Sequence, residues 1–177
     1  MKSVAALMMS ALSSAVSAAL NVGDVAPDFT TRATLGGREF TYSLSAELKK
    51  GPVVLYFYPA AFTAGCTVEA HLFAEAIPKY KALGASVIGI STDTIETLNK
   101  FSVEECKSRF PVASDGDRSI MKAYDAVLLW KTHYASRVSY VIAPSGKIAY
   151  RYSDLNPDKH VGNTLNAVHE WAAANGK

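Results

Sequence analysis

The sequence predicts one α/β domain built on a mixed sheet, and three observations carry that expectation. Short apolar runs rich in β-branched and aromatic residues recur at residues 53–58 (VVLYFY), Ser86–Ser91 (SVIGIS) and Val138–Ile142 (VSYVI). Near-continuous apolarity of that kind suits strands buried on both faces of a sheet. Segments of helical length separate and follow these runs, in the order strand–helix–strand–helix, then a strand hairpin and a last helix. The chain has 177 residues, 49% of them apolar and 19% charged. That is enough for one sizeable core, too short for two full domains, and too apolar for a disordered chain.

Taken in order, residues 30–44 predict a hairpin that turns at Gly36-Gly37. The strand at 53–58 is followed by a helix at about 67–83, then by the strand Ser86–Ser91. A second helix is expected at 94–107, opened by Asp93-Thr-Ile-Glu96, an N-cap residue with Glu at the third position beyond it. Pro144-Ser-Gly146 between Val138–Ile142 and 147–152 reads as a hairpin turn, and residues 158–174 as a terminal helix. No internal repeat and no linker interrupts this order.

Residues 1–19 (MKSVAALMMSALSSAVSAA) stand apart. Thirteen of the nineteen are apolar, Lys2 is an early cation, and Ser17, Ala18 and Ala19 are small enough for a signal-peptidase cut. The run is too short to span a bilayer, and no twin-Arg pair marks it for export of folded cargo. The expectation is a secretory signal over 1–19 and a domain over 20–177 that works in an oxidising, extracytoplasmic space such as the periplasm.

Net charge is +2, from 18 Lys and Arg against 16 Asp and Glu, with no block of like charge. Composition therefore makes no case for nucleic acid or an anionic membrane surface. Two cysteines, Cys66 and Cys106, exclude a disulfide-stapled scaffold and a four-cysteine zinc site.

The chemistry concentrates at YPAAFTAGCTVE, residues 58–69. This segment begins where a buried strand ends and runs into the first turn of a helix, the edge at which open α/β sheets collect reactive groups. A cysteine there meets unsatisfied backbone N–H groups and the positive end of the helix dipole, both of which favour thiolate. Gly65 lets backbone approach Cys66, Pro59 stiffens the loop, and Thr63 brings a hydroxyl one turn before the sulfur. A cysteine alone is as often a buried structural thiol; its Pro, Thr and Gly company is what points to reactivity.

The spacing Pro59-x-x-x-Thr63-x-x-Cys66-x-x-Glu69 resembles the active-site signature of peroxiredoxins, thiol peroxidases of thioredoxin-like fold. Arg137-Val-Ser-Tyr-Val-Ile142, followed by Pro144-Ser-Gly-Lys147, is similar to the family strand that carries an active-site arginine. Phe57-Tyr-Pro59 and Gly65-Cys-Thr-Val-Glu-Ala70 are closest to its bacterioferritin-comigratory (Q-type) subfamily, and the likeness runs from about residue 21 to 171.

The resemblance implies a thioredoxin-like sheet with an N-terminal hairpin, and a cofactor-free, metal-free peroxidase acting on hydrogen peroxide and alkyl hydroperoxides. A thioredoxin-like or small-thiol reductant would supply electrons, and a monomer is expected in preference to a dimer. Cys66 would attack the peroxide and become a sulfenic acid. An ordinary thiol of pKa ~8.5 is only ~3% thiolate at pH 7, so full ionisation gains about thirtyfold, or roughly 2 kcal/mol. Most of the acceleration must then come from placed donors. Arg137, Thr63 and the Cys66 N–H would hold the peroxide, Pro59 would shield the sulfur, and Glu69 would orient Arg137. Phe62, Tyr58 and Trp130 are candidates for an apolar mouth, with ordinary core the stronger expectation for Tyr58.

Many Q-type members carry a resolving cysteine five residues after the peroxidatic one; here that position is His71. Cys106 remains, and the resemblance allows it to resolve Cys66 as an intramolecular disulfide. Helical projection at ~100° per residue puts Cys106 about 20° from Ile95, on the core-facing side. That position suits an inert buried thiol as well as a resolving one that must unwind. His133, His160 and His169 are expected on loops or helix surfaces. Two other classes stay open. A copper-binding thioredoxin-like module needs a second thiolate beside Cys66 and His71. A disulfide exchanger normally wants C-x-x-C, which this chain lacks.

Overall fold

In a computed structural model, which describes residues 20–176, the apolar run after Pro52 becomes a strand whose five residues are all buried, β3 (Val53–Phe57). Two cores account for that. Val53, Leu55 and Phe57 face one, with Ile88, Ile90, Met121, Tyr124 and Tyr140; Val54 and Tyr56 face the other, with Phe73, Ile77, Tyr80, Phe101 and Val168. A strand with water on neither side has no reason to alternate.

The elements that precede β3 are the hairpin β1 (Thr30–Leu35) and β2 (Arg38–Ser43), then a short helix α1 (Leu44–Leu48). After it come α2 (Ala64–Ala82), β4 (Ser86–Ser91), α3 (Ile95–Glu104), β5 (Val112–Ser114) and α4 (Ser119–Ala123). The chain closes with β6 (Val138–Ile142), β7 (Ile148–Ser153) and α5 (His160–Ala174). The seven-stranded sheet has the order β2-β1-β5-β4-β3-β6-β7, with β3–β4 and β4–β5 parallel and the other pairs antiparallel. This is the mixed sheet with an N-terminal hairpin that the sequence predicts.

Gly89 in β4 shows how tightly the second core is filled. A Cβ there would come within 2.7 Å of the Tyr56 ring, which stacks on Phe73 at a centroid distance of 4.3 Å. The helices α2 and α5 are joined across this face by the Tyr80 hydroxyl, 2.7 Å from Thr164 Oγ1 and 3.0 Å from the Val161 carbonyl it donates to.

Several boundaries differ from the sequence expectation. The helix α2 starts at Ala64 rather than near 67, α3 ends at Glu104 rather than 107, and α5 starts at His160. The N-cap of α3 is Thr94, whose hydroxyl accepts from the Thr97 N–H; Asp93 serves elsewhere. The elements α1, β5 and α4 are only 5, 3 and 5 residues long, too short to show a period. The expected leader, 1–19, lies outside the described residues. Among the described residues, no helix is long and apolar enough to cross a membrane.

Candidate active site

The strands β3 and β4 run parallel, so their carboxyl ends and the N-termini of α2 and α3 open on one edge. Tyr58 extends the ladder by one bond, its N–H donating to the Ile90 carbonyl, before Pro59 releases the chain into the loop. Asp93 ties that loop down. Its carboxylate accepts from the Ala61 N–H at 2.8 Å and from the Ser91 hydroxyl at 2.7 Å. Phe62 takes a left-handed backbone (φ 62°), a cost that non-glycine residues tolerate mainly where surroundings enforce it.

The helix α2 then begins with Thr63 as N-cap and Cys66 as its third residue. The Thr67 N–H donates to the Thr63 carbonyl at 2.9 Å, so the N–H groups of Ala64, Gly65 and Cys66 precede the intrahelical ladder. The Thr63 hydroxyl donates to the Ala60 carbonyl at 2.9 Å, which leaves its lone pairs to accept from a bound molecule.

Arg137 reaches this helix end from 71 positions away in the chain. Its Nη2 donates to Cys66 Sγ at 3.4 Å, its Nη1 to Glu69 Oε2, and its Nε to the Leu155 carbonyl at 2.9 Å. Those anchors fix the guanidinium plane against the sulfur. Gly65 makes room for it, since a Cβ there would lie 3.2 Å from Nη2. Burial works against the Arg137 charge, and the adjacent Glu69 and Cys66 groups outweigh it, holding its pKa up. Burial pushes the Glu69 carboxyl up to about 8, against the pull of Arg137.

The structure thus gathers Pro59, Thr63, Cys66, Glu69 and Arg137 at one edge. Cys66 is 2% exposed. Phe62 is 43% exposed, with its ring edge-on to Phe101 at 5.3 Å, and stands at the surface of the loop. Tyr58 does not stand beside it as a mouth residue. It is buried between Phe101 and Tyr56, at 5.6 and 5.5 Å, because the residue after β3 continues the strand's alternation into the second core. Trp130 is 67% exposed on the loop before Arg137, which Thr92 joins to the end of β4 through the His133 carbonyl.

Cys106 is fully buried, as its projection implied, yet it sits two residues beyond the end of α3 rather than within it. Its N–H still reaches the Phe101 carbonyl at 3.1 Å. Burial, and then Glu105, push its thiol pKa well up. Both cysteines are free, and both sulfurs act electrostatically on Tyr56 and Tyr58, which adjoin them. His71 faces Glu105 at 2.6 Å rather than Cys66, and among the described residues no three His, Cys, Asp or Glu side chains gather as a metal site.

His133 and His169 are exposed as expected; His160 is not. It is fully buried, with Nδ1 2.8 Å from Ser139 Oγ and Nε2 2.8 Å from the Asp154 carbonyl. A sequence signal existed, because positions 160, 164, 167, 168 and 172 share one helical face and all are buried. Asp93 gave only the wrong signal, that of a cap.

The family described as AhpC/TSA matches residues 22–151. Among curated proteins, the chain is 37% identical over 147 residues to a chloroplastic peroxiredoxin Q of Triticum aestivum, covering 82% of this chain. The chain spans 65% of that protein's length, just under two thirds. It is 31% identical over 158 residues to peroxiredoxin Bcp of Escherichia coli K12, covering 86% of this chain and 98% of that one. The solved structure of peroxidoxin BcpB from Mycobacterium tuberculosis superposes with TM-score 0.77 at 31% identity, covering 85% of this chain and 97% of the other. PrxQ from Xylella fastidiosa shares the fold, with TM-score 0.78 at 23% identity over 88% of this chain and 99% of its own.

Proposed function

The chain belongs to the AhpC/TSA family, and on that premise we propose that it is a thiol peroxidase of the peroxiredoxin Q and Bcp kind. The observation that carries the reading is the Arg137 guanidinium held 3.4 Å from Cys66 Sγ by side chains and carbonyls distant in sequence. In the first step the Cys66 thiolate attacks the near oxygen of hydrogen peroxide or an alkyl hydroperoxide. An S–O bond forms, the O–O bond breaks, and the departing hydroxide or alkoxide takes a proton to leave as water or alcohol. The sulfur is oxidised to a sulfenic acid and the peroxide is reduced.

Arg137, with donors left after Glu69 and Leu155, stabilises charge as it moves onto the leaving oxygen. The Cys66 N–H and the Thr63 lone pairs hold the peroxide in line, and the half-buried Pro59 keeps water from the sulfur. Glu69 orients Arg137. Phe62 offers an apolar contact to organic hydroperoxides.

The second step joins Cys66 to Cys106, with loss of water from the sulfenic acid. Cys106 must leave its pocket to bring the two Cα atoms within about 6 Å. Support for that movement lies in the turn that follows it, where Lys107 and Ser108 are both left-handed (φ 53° and 55°). Non-glycine residues there cost about 1 kcal/mol or more each, which lowers the cost of local unfolding. A thioredoxin-like or small-thiol donor then returns both sulfurs to thiols. The reading includes export directed by residues 1–19 and action as a monomer in the periplasm.

Intact-mass analysis of the reduced chain after one equivalent of peroxide tests this sequence of steps. Loss of two hydrogens, with both thiols blocked to alkylation, is the expected result. Added oxygen without that loss would remove Cys106 from the mechanism, and no change at all would remove the peroxidase reading.

A further inference from the structure

Arg137 serves two acidic groups at once, Glu69 through Nη1 and Cys66 through Nη2, and all three are buried. Were both acids ionised, the cluster would hold two negative charges against one positive. Buried ionic clusters of that imbalance are costly, and something must supply a compensating proton.

The geometry offers one place for it. Glu69 Oε1, the oxygen turned away from Arg137, is buried and lacks a hydrogen-bond partner. It lies 3.8 Å from His160 Nδ1. The other ring nitrogen of His160, Nε2, meets a carbonyl that can only accept, so Nε2 carries hydrogen. Nδ1 is then the variable atom: with a neutral ring the Ser139 hydroxyl donates to it, and with a charged ring Nδ1–H turns toward Ser139 or Glu69. At 3.8 Å the two atoms stand too far apart for a hydrogen bond but close enough for a charge on one to act strongly on the other, so a proton on either relieves the pair.

We propose that Glu69 and His160 hold one proton between them while Cys66 is ionised, so that the Arg137 charge is left to the sulfur. The buried cluster is then neutral: one guanidinium, one thiolate, and a carboxyl–imidazole pair with a single shared proton. His160 is a positioning residue, acting on the sulfur through Glu69 and Arg137 without touching either sulfur or peroxide. Burial raises the proton affinity of Glu69; burial, followed by the nearby Arg137 charge, lowers that of His160. Both directions place the shared proton mainly on the carboxyl. The groups facing His160 are Glu69 from α2, Arg137 and Ser139 at the start of β6, the Tyr152 ring of β7 at 4.8 Å, and Asp154 in the following turn.

This inference rests on the thiol-peroxidase reading for its purpose, and its test is independent of turnover. In the full-length reduced protein, infrared spectroscopy should find a protonated carboxyl near neutral pH that is absent from Glu69→Gln and disappears as pH rises. Thiolate absorbance at a fixed pH should fall in His160→Asn by up to about twofold, the most that losing the minor site of a shared proton can cost. The same substitution made in a Glu69→Gln background should leave it unchanged, because the amide cannot lose the compensating proton. A wild-type spectrum without the Glu69 carboxyl band, or a folded His160→Asn protein with the wild-type thiolate titration, would overturn the proposal. If His160→Asn does not fold, the infrared comparison of wild type with Glu69→Gln decides alone. Failure of peroxide consumption with both spectra as expected would instead strike the peroxidase reading.

Discussion

Cys66 and Cys106 are both buried, at 2% and 0% exposure, and both adjoin Tyr56 and Tyr58 in one core, yet their chemistry is set apart by a few neighbours. Cys66 lies at the start of a 19-residue helix with a guanidinium on its sulfur. Cys106 lies past the end of a helix, among apolar side chains and beside Glu105, where burial outweighs the pull of Lys107 and the thiol is held protonated. Exposure does not separate the sulfur proposed to meet peroxide from the one proposed to resolve it. What separates them is whether donors and a cation were brought along into the interior.

The sharpest break in that comparison is Cys66→Ser, which should abolish peroxide consumption measured with any reductant. Arg137→Gln makes the environment of Cys66 more like that of Cys106, and the second-order rate with peroxide, followed by stopped flow, should fall about 10²–10³-fold. It also takes a donor from Glu69 Oε2 and from the Leu155 carbonyl, so the melting temperature should drop with it.

The pH dependence of stability tests the charge balance on the Cys66 side. Glu69 has a folded pKa of about 8 against an ordinary 4.5. A carboxyl raised in this way binds its proton more tightly when folded. Its contribution is therefore undiminished below 4.5 and is lost as pH climbs toward 8 and beyond. Urea unfolding should show that loss, on the order of a few kcal/mol across the window, and Glu69→Gln should flatten it.

Thr63→Val removes one acceptor at the mouth and should slow the peroxide step about tenfold, the worth of one hydrogen bond. The smallest effect is expected from Cys106→Ser: its first turnover should match wild type, while the disulfide never forms and sulfenic acid accumulates.

The sheet was legible because its central strands carry their burial in composition: residues 53–57 are short, apolar and rich in β-branched and aromatic side chains, which suits a strand dry on both sides. The candidate loop was legible because Pro59, Thr63, Gly65, Cys66 and Glu69 sit within one short segment. Arg137 was reachable only through resemblance, since no local pattern marks an arginine that will end against a sulfur 71 residues earlier. Tyr58 shows the limit of reading adjacency as function: it borders the loop in sequence but points inward with the pleat of β3. Asp93 resembled a helix cap because Asp caps helices in general, while here Thr94 caps α3 and the Asp93 carboxylate accepts from the Ala61 N–H. His160 differs from its expected surface place for another reason: its polarity suggests solvent, while its helical phase puts it on the buried face of Thr164, Ala167, Val168 and Ala172.

The central claim is that the surroundings of Cys66, and not its accessibility, make it the sulfur that meets peroxide. The direct measurement is to quench the reduced protein at early times after substoichiometric peroxide, trap sulfenic acid chemically, and map the label by mass spectrometry. The account expects the first label on Cys66 with Cys106 still a free thiol, and the disulfide only afterwards. Label on Cys106 first, or on both sulfurs at matching rates, would contradict it.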